Sequence, residues 1–201
     1  GGTPYDMRRD ALLGASEAAL AVERICRGEH HIIGTVGQLE AFPGAVNVVP
    51  GEARFSLDLR GELDPDRDRV WRAISAELDE IMGRRGLRWH GQEVHSAPAV
   101  FCAPLLQDVV REGIVRGARA GAGWGSALGR GSGSGRGSEP GSGLGSGLGS
   151  GEPASLFSPA GHDGMALGAI TDVGMLFLRN PEGISHHPAE AVSEPDVALG
   201  I

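Results

Sequence analysis

The sequence predicts a mixed α/β protein, because stretches with helical spacing of apolar residues alternate with short stretches of strand-like alternation. Apolar residues recur at steps of three and four in residues 6–27 and again after Asp64, so both stretches are predicted helices. Between them, residues 32–36 and the alternating run 53–60 are predicted strands, the second with one buried face. A further strand is expected over residues 87–94.

Helix, two strands, helix and strand make up most of a ferredoxin-like α+β sandwich, whose first strand we expect to lie before Gly1. This first domain is predicted over residues 1–98. A third helix is expected after Pro104. Residues 173–178 are continuously apolar, which is typical of a strand covered on both faces in a mostly parallel sheet. We therefore predict that residues 99–201 are part of a second, α/β domain.

Residues 121–151 are almost all Gly and Ser, with scattered Ala, Leu and Arg. Such a segment cannot bury enough apolar surface to offset the entropy lost on ordering, so we predict a flexible insert. An RNA-binding Gly/Arg-type tail is the alternative. It is disfavoured because the segment contains only Arg130 and Arg136, and no aromatic side chain apart from Trp124.

The net charge of -8 argues against nucleic acid or an anionic membrane as a partner, since both bind clusters of Lys and Arg. No apolar run approaches the length needed to cross a bilayer. The two cysteines, Cys26 and Cys102, have no CxxC spacing. Free buried thiols in a reducing compartment are therefore favoured over a disulfide or a metal site, and we expect a cytoplasmic protein.

Two histidine-containing segments are candidates for a functional site. In residues 160–164, small residues surround His162 and Asp163, which lets backbone approach a ligand beside the imidazole. Residues 183–190 follow the apolar run 173–178, at the strand end where open α/β sheets build their sites. Imidazole is a common ligand of zinc or manganese, but a catalytic metal needs about three protein ligands, and the sequence has no HxxxH or HExxH motif. A hydrated surface loop is the alternative for both segments.

Asn47 and Arg60 form the third candidate cluster. Asn47 precedes the alternating strand, and Arg60 ends that strand on its polar face. A guanidinium suits a carboxylate because it can donate two parallel hydrogen bonds to it. A solvated side chain at the end of a strand is the alternative for Arg60.

The sequence resembles the hydantoinase/carbamoylase branch of the M20-like metal-dependent amidohydrolases, because seven segments occur in the same order as in that family. The resemblance covers nearly the whole chain except the Gly/Ser insert. The segments are residues 2–4 with 7–12, 35–37, 43–51, 58–60, 160–163, 174–177 and 183–190. The resemblance implies hydrolysis of a linear C–N bond in a ureido or amidino acid. The sequences of these segments are most similar to those of enzymes acting on allantoate. Enzymes acting on N-carbamoyl-L-amino acids come second.

The same resemblance implies a homodimer of two-domain subunits. Residues 1–98 would form a lid and dimerisation domain, and residues 99–201 would be the C-terminal part of a zinc-peptidase-like catalytic domain that holds two divalent metal ions, zinc or manganese. A small carboxylate-bearing ureido compound would be the substrate. The metal pair would generate hydroxide from a bridging water.

The resemblance also implies roles for individual residues. Asn47, Arg60, Gly161 and His162 match residues that bind the carboxylate and the amide or ureido group of the substrate. The sequence departs from the family at Pro159, where Gly is usual, and in the Gly/Ser insert before this turn. Both departures bear on the position of His162.

His186 matches the family's C-terminal metal ligand, whereas His187 falls where the family is variable. The other metal ligands, the general-base Glu and a lid His that reaches across the dimer would lie N-terminal to Gly1. No catalytic base is therefore predicted within residues 1–201, and we expect the chain alone to be inactive. The alternatives are a β-ureidopropionase-like amidase, an aminoacylase or peptidase of the same superfamily, a non-catalytic dimerisation module, and a truncated product without function.

Overall fold

The computed structural model describes most of the chain: residues 2–120, 153–180, 183–185 and 187–199. The predicted flexible insert and His186 lie outside these described residues. The chain divides into two compact units. The first consists of Gly1–Ala99 and Phe157–Met165, and the second of Val100–Leu156 and Ala166–Ile201.

Two long helices, α1 (Ala11–Arg27) and α2, which follows the strands, confirm the two predicted helices of the first unit. α1 begins five residues later than predicted. The reason is a cap: the side chain of Asp10 accepts a hydrogen bond of 3.1 Å from the backbone N–H of Leu13, which fixes the first turn. Tyr5–Met7 form a separate 3-10 turn instead.

One long antiparallel hairpin connects the two helices, and it is built from four short strands. They are β1 (Ile32–Thr35), β2 (Leu39–Phe42), β3 (Glu52–Phe55) and β4 (Asp58–Gly61). β1 pairs with β4, so that Ile33 lies opposite Arg60, and β2 pairs with β3, so that Phe42 lies opposite Glu52. α2 (Asp64–Arg85) follows and ends at Gly86, whose left-handed φ of 64° favours glycine.

The predicted single strand over residues 53–60 is therefore two strands. At the junction the three residues 36–38 face the two residues 56–57, so the hairpin contains a bulge of one residue. There the Ser56 hydroxyl accepts a hydrogen bond of 3.1 Å from the Gln38 N–H in place of a ladder bond. The predicted buried face is confirmed, because Phe55, Leu57 and Leu59 all pack against the core.

The core of the first unit lies between α1, α2 and the hairpin. α1 packs against α2 and against β1, β2 and β3, while α2 contacts β4. The largest fully buried side chains, each less than 2% exposed, are Ile74, Ile81, Val22 and Val70. Three of them lie on α2 at steps of four and seven, which confirms the apolar stripe predicted for that helix.

The prediction of a strand over residues 87–94 is wrong. Leu87 and Trp89 face the core, as the alternation predicts, but the segment has no strand partner within the described residues. Alternation selects the buried face of an extended segment, whereas a strand also needs a second segment for its hydrogen bonds. The complete ferredoxin-like arrangement therefore stays a prediction.

Gly34 of β1 lies where the hairpin packs tightly against α1. A methyl group at Gly34 would overlap the Sγ of Cys26 and lie 3.1 Å from a methyl of Val22, both buried. We expect Gly34→Ala to lower the free energy of unfolding by about 1–3 kcal/mol, as is typical of overpacked cores. Gly83 in α2 faces open space, so Gly83→Ala should raise it by about 0.5–1 kcal/mol through helix propensity. Urea unfolding of both variants measures the change in the free energy of unfolding. Changes of the same sign and size in the two variants would contradict the packing described.

The described part of the second unit contains helices joined by segments without regular secondary structure. Its described helices include α3 (Pro104–Ala120) and α5 (Glu194–Leu199), and α4 (Asp163–Leu167) lies between these two along the chain. α3 confirms the predicted third helix. Residues 173–178 form no strand, contrary to the prediction, and they are not covered on both faces, since Phe177 and Leu178 are 46% and 41% exposed. The N–H of Ala103 donates a hydrogen bond of 2.8 Å to the Val173 carbonyl. An apolar run favours a buried strand, but the neighbouring elements decide whether it is covered and whether it joins a sheet. None of the described helices has the length and apolarity needed to span a membrane.

Both cysteines are free, as predicted. Cys26 is buried beneath Gly34, and this burial raises the pKa of its thiol. Cys102 is half-buried. The structure thus places one of the two thiols in the core, where it packs as a small apolar side chain.

Candidate functional site

Arg60 lies near the end of β4 on the solvent-facing side of the hairpin, and its side chain is 47% exposed. Asp58 lies on the same side, because side chains two residues apart in a strand share a face. The Nε of Arg60 donates to Asp58 Oδ1 at 3.0 Å, and Nη2 donates to Oδ2 at 2.6 Å. This ion pair lowers the pKa of Asp58 and raises that of Arg60, so both groups are charged at neutral pH.

The segment Phe157–Met165, which contains His162, belongs to the first unit and contacts Arg60. The Nη1 of Arg60 donates a hydrogen bond of 3.0 Å to the carbonyl oxygen of Pro159. Within the segment, Ser158 Oγ and His162 Nε2 are hydrogen-bonded at 2.7 Å. The structure therefore brings two of the predicted site residues, Arg60 and His162, to the same end of β4.

Two residues beside Arg60 support the same segment from the β1 side. Nδ1 of His31 is hydrogen-bonded to the carboxylate of Glu62, and its ring lies 5.5 Å from that of Phe157. His31 also has a left-handed φ of 55°, which is uncommon outside glycine and costs backbone strain. His31 and Glu62 thus hold Phe157 at the start of the segment that carries His162.

Sequence reasoning missed Asp58, Ser158, His31 and Glu62. Two of them carried a usable signal: Asp58 lies two residues before Arg60 on the polar face of an alternating strand, and Ser158 lies four residues before His162. The contact of His31 with Phe157 had no signal in the sequence, because 126 residues separate the two along the chain.

Asn47 lies at the opposite end of the hairpin from Arg60. It lines a shallow cavity of about 350 Å³ together with Arg8, Asp10 and Pro50, next to the first turn of α1. Along the strands, the eight steps from Glu52 to Arg60 span about 26 Å at 3.3 Å per residue. The 17 residues of α1, which run alongside, span about 26 Å at 1.5 Å per residue. Within one chain, Asn47 and Arg60 are therefore too far apart to contact the same small ligand.

The loop before His186 is held by Asn180. Its Nδ2 donates a hydrogen bond of 2.5 Å to the carbonyl of Ile184, and Gly183 makes the intervening turn with a left-handed φ of 63°. His187, the first described residue after His186, uses its Nδ1 to accept a hydrogen bond of 3.1 Å from the N–H of Ala189. Over the described ranges, no group of three His, Cys, Asp or Glu side chains is placed to hold a metal ion.

No protein-family model matches the chain. Among solved structures, a hydantoinase/carbamoylase family amidase from Burkholderia vietnamiensis is 25% identical, with a TM-score of 0.70 over 100% of this chain and 41% of that one. The structure of AtUAH in complex with glyoxylate is 26% identical, also with a TM-score of 0.70, over 100% of this chain and 40% of that one. The chain is thus homologous to hydantoinase/carbamoylase family amidases.

Two curated relatives are named for reactions on an N-carbamoyl amino acid and on allantoate. An N-carbamoyl-L-amino acid amidohydrolase from Geobacillus stearothermophilus is 32% identical over 100% of this chain and 41% of its own length. An allantoate deiminase from Arabidopsis thaliana is 30% identical over 98% of this chain and 37% of its own. The chain therefore spans about two-fifths of the length of the curated relatives it matches.

Proposed function

We propose that the full-length gene product containing this chain is a metal-dependent amidohydrolase of the M20-like group that hydrolyses a linear C–N bond in a ureido or amidino acid, allantoate being the first candidate substrate. The observation that carries the proposal is the placement of Arg60 beside the segment of His162. An exposed guanidinium next to an exposed imidazole suits a molecule that carries a carboxylate at one end and a polar amide-like group further along.

The side chains of this site have separate tasks in the proposed reaction. Arg60 binds the substrate carboxylate and so fixes the position of the scissile bond. His162 uses Nε2 toward Ser158, which leaves Nδ1 for a hydrogen bond to the ureido group. At Gly161 nothing lies within 4 Å of where a Cβ would stand, so the substrate has room against the backbone there.

Asn47 enters the proposed site only from a second copy of the chain. Because Asn47 and Arg60 lie at opposite ends of the hairpin, one lid cannot supply both to one carboxylate. A homodimer through the lid domain would let Asn47 of one subunit meet Arg60 of the other. The exposed valines on either side of Asn47, Val46 and Val48, suit insertion of this loop into a partner subunit.

Two divalent metal ions, zinc or manganese, are proposed for the full-length protein, with His186 as a ligand. The described residues do not by themselves fit such a centre, since no group of three ligand-type side chains occurs among them. The binding tasks of Arg60 and His162 do not depend on this centre. Among the described residues, Asn180 supports the loop of His186 through its hydrogen bond to the Ile184 carbonyl.

Hydrolysis of N-carbamoyl-L-amino acids is the second candidate function. It is favoured by the 32% identity to the Geobacillus stearothermophilus enzyme of that name, against 30% to the Arabidopsis thaliana allantoate deiminase. Both substrate classes carry a carboxylate and a ureido group, so Arg60 and His162 would serve either.

The proposal is tested by measuring ammonia release by the full-length gene product, with manganese or zinc added, from allantoate, ureidoglycolate and a set of N-carbamoyl-L-amino acids. We expect turnover of at least one of them, abolished by a chelator and restored by metal. N-acetyl amino acids and dipeptides serve as controls for the related aminoacylases and peptidases. Their hydrolysis releases no ammonia, so it is followed by the free amino acid produced. Turnover of these alone would contradict the proposed substrate class.

A further inference from the structure

Asp58 occupies one side of the Arg60 guanidinium. Its Oδ1 and Oδ2 lie 3.0 and 3.1 Å from Nε, and Oδ2 lies 2.6 Å from Nη2, which is a two-point contact along the Nε edge. Both side chains are about half exposed, at 53% and 47%. The carboxylate therefore holds the guanidinium in a fixed orientation without removing it from solvent.

The donors that remain on Arg60 suffice for one further carboxylate. A guanidinium has five N–H groups, about three of which are used here: one on Nε and one on Nη2 toward Asp58, and one on Nη1 toward the Pro159 carbonyl. One N–H is left on each Nη atom. With the Pro159 carbonyl on the Nη1 hydrogen nearer Cδ, these two form a single two-point contact at the end of the guanidinium away from Nε.

We infer that Asp58 is a specificity-determining residue of the carboxylate site, restricting it to ligands that carry a single carboxylate. The inference rests on the proposed function in one respect, that Arg60 is the group which binds the substrate carboxylate. Asp58 neutralises the charge of Arg60, so a ligand's first carboxylate is held by hydrogen bonds at an ion pair of no net charge. A second carboxylate gains no further attraction and is repelled by Asp58.

The chain contains a matched control on the neighbouring strand. Arg54 and Glu52 of β3 form the same pair two residues apart, with Arg54 Nε donating to Glu52 Oε1 at 2.7 Å. The guanidinium of Arg54 lies over the Phe42 ring at 4.9 Å, away from the segment of His162. Glu52→Gln therefore removes an equivalent exposed carboxylate outside the proposed site.

The first test measures binding to the 201-residue chain without any reaction. The Nε–H signal of Arg60 is followed by NMR, identified by its loss in Arg60→Lys, while malonate or its isosteric monoamide malonamate is added. In the wild type we expect malonate to bind no more tightly than malonamate. In Asp58→Asn, malonate binding should tighten relative to malonamate binding by roughly three- to tenfold. The effect is modest because the ion pair is exposed. Glu52→Gln should leave the ratio of the two Kd values unchanged.

Three results of this test would overturn the inference: a several-fold preference of the wild type for malonate, an equal shift in Asp58→Asn and Glu52→Gln, or no binding of either anion at Arg60. The wild-type measurement stands even if Asp58→Asn does not fold. It can therefore overturn the inference without the variant.

The second test uses turnover by the full-length gene product. N-carbamoyl-L-asparagine and N-carbamoyl-L-aspartate differ by one carboxylate at nearly equal size, so the ratio of their kcat/KM values isolates that charge. Asp58→Asn should move this ratio toward the aspartate compound by roughly three- to tenfold. Turnover with an unchanged ratio overturns the inference and leaves the proposed function standing. The expected anion binding without hydrolysis of any ureido acid overturns the proposed function and leaves the inference standing.

Discussion

Replacing Arg60 by Lys in the full-length gene product is expected to lower kcat/KM by roughly 2–4 kcal/mol, about 30- to 1000-fold, which is the magnitude of a pair of charge-assisted hydrogen bonds. Lys keeps the charge beside Asp58 but donates from a single nitrogen, so it cannot form two-point contacts with Asp58 and with a ligand carboxylate. Metal content should not change, because Arg60 is not a proposed ligand.

Arg54→Lys is the matched control for this substitution. Arg54 forms the same kind of strand ion pair with Glu52, but outside the proposed site. Steady-state kinetics and metal analysis on both variants separate a binding role from a general effect on the hairpin. An equal loss in Arg54→Lys, or loss of metal from Arg60→Lys, would show that Arg60 does not bind the substrate carboxylate in the way proposed.

His186→Ala is expected to lower both metal content and rate, because it removes a proposed ligand of a centre that needs about three. The loss of metal affinity should exceed the 10- to 100-fold, roughly, that follows removal of a residue supporting a ligand. His187→Ala should be milder on both counts. In the structure His187 uses Nδ1 within its own turn, accepting a hydrogen bond from Ala189.

Metal stoichiometry of the purified full-length variants, measured beside kcat, distinguishes the two histidines. If His187→Ala empties the centre while His186→Ala retains its metal, the ligand assignment is wrong by one position. Normal metal content in both variants would remove residues 183–190 from the proposed centre altogether.

The sequence predicted the elements whose signal is local. α1 and α2 followed from apolar residues three and four positions apart, which lie on one face of a helix irrespective of the rest of the chain. The buried face of residues 53–60 followed from alternation in the same way. The two errors in the strands, over residues 87–94 and 173–178, have a common cause. Alternation and apolar runs are local signals, but a ladder depends on a partner that is remote in sequence.

The bulge between β1 and β2 shows the same limit at smaller scale. Alternation continues through Ser56 and Leu57 on one strand, so nothing in that strand predicts the extra residue opposite. Only the register of both strands reveals it. A bulge changes pairing while keeping the buried face, which is why the predicted face was right and the predicted strand was too long.

For the site, the sequence by itself determined which groups are available: a guanidinium at the end of a strand, an imidazole in a turn of small residues, and a His-His pair after an apolar run. The tertiary structure alone decided which of them meet. It brought the Pro159 carbonyl to Arg60 from 99 residues away and placed Asn47 at the far end of the hairpin, although Asn47 is much nearer in sequence. The physical reason is that side-chain chemistry and local periodicity are properties of neighbouring residues. Distance between residues is instead set by long-range packing, here of the hairpin along the full length of α1.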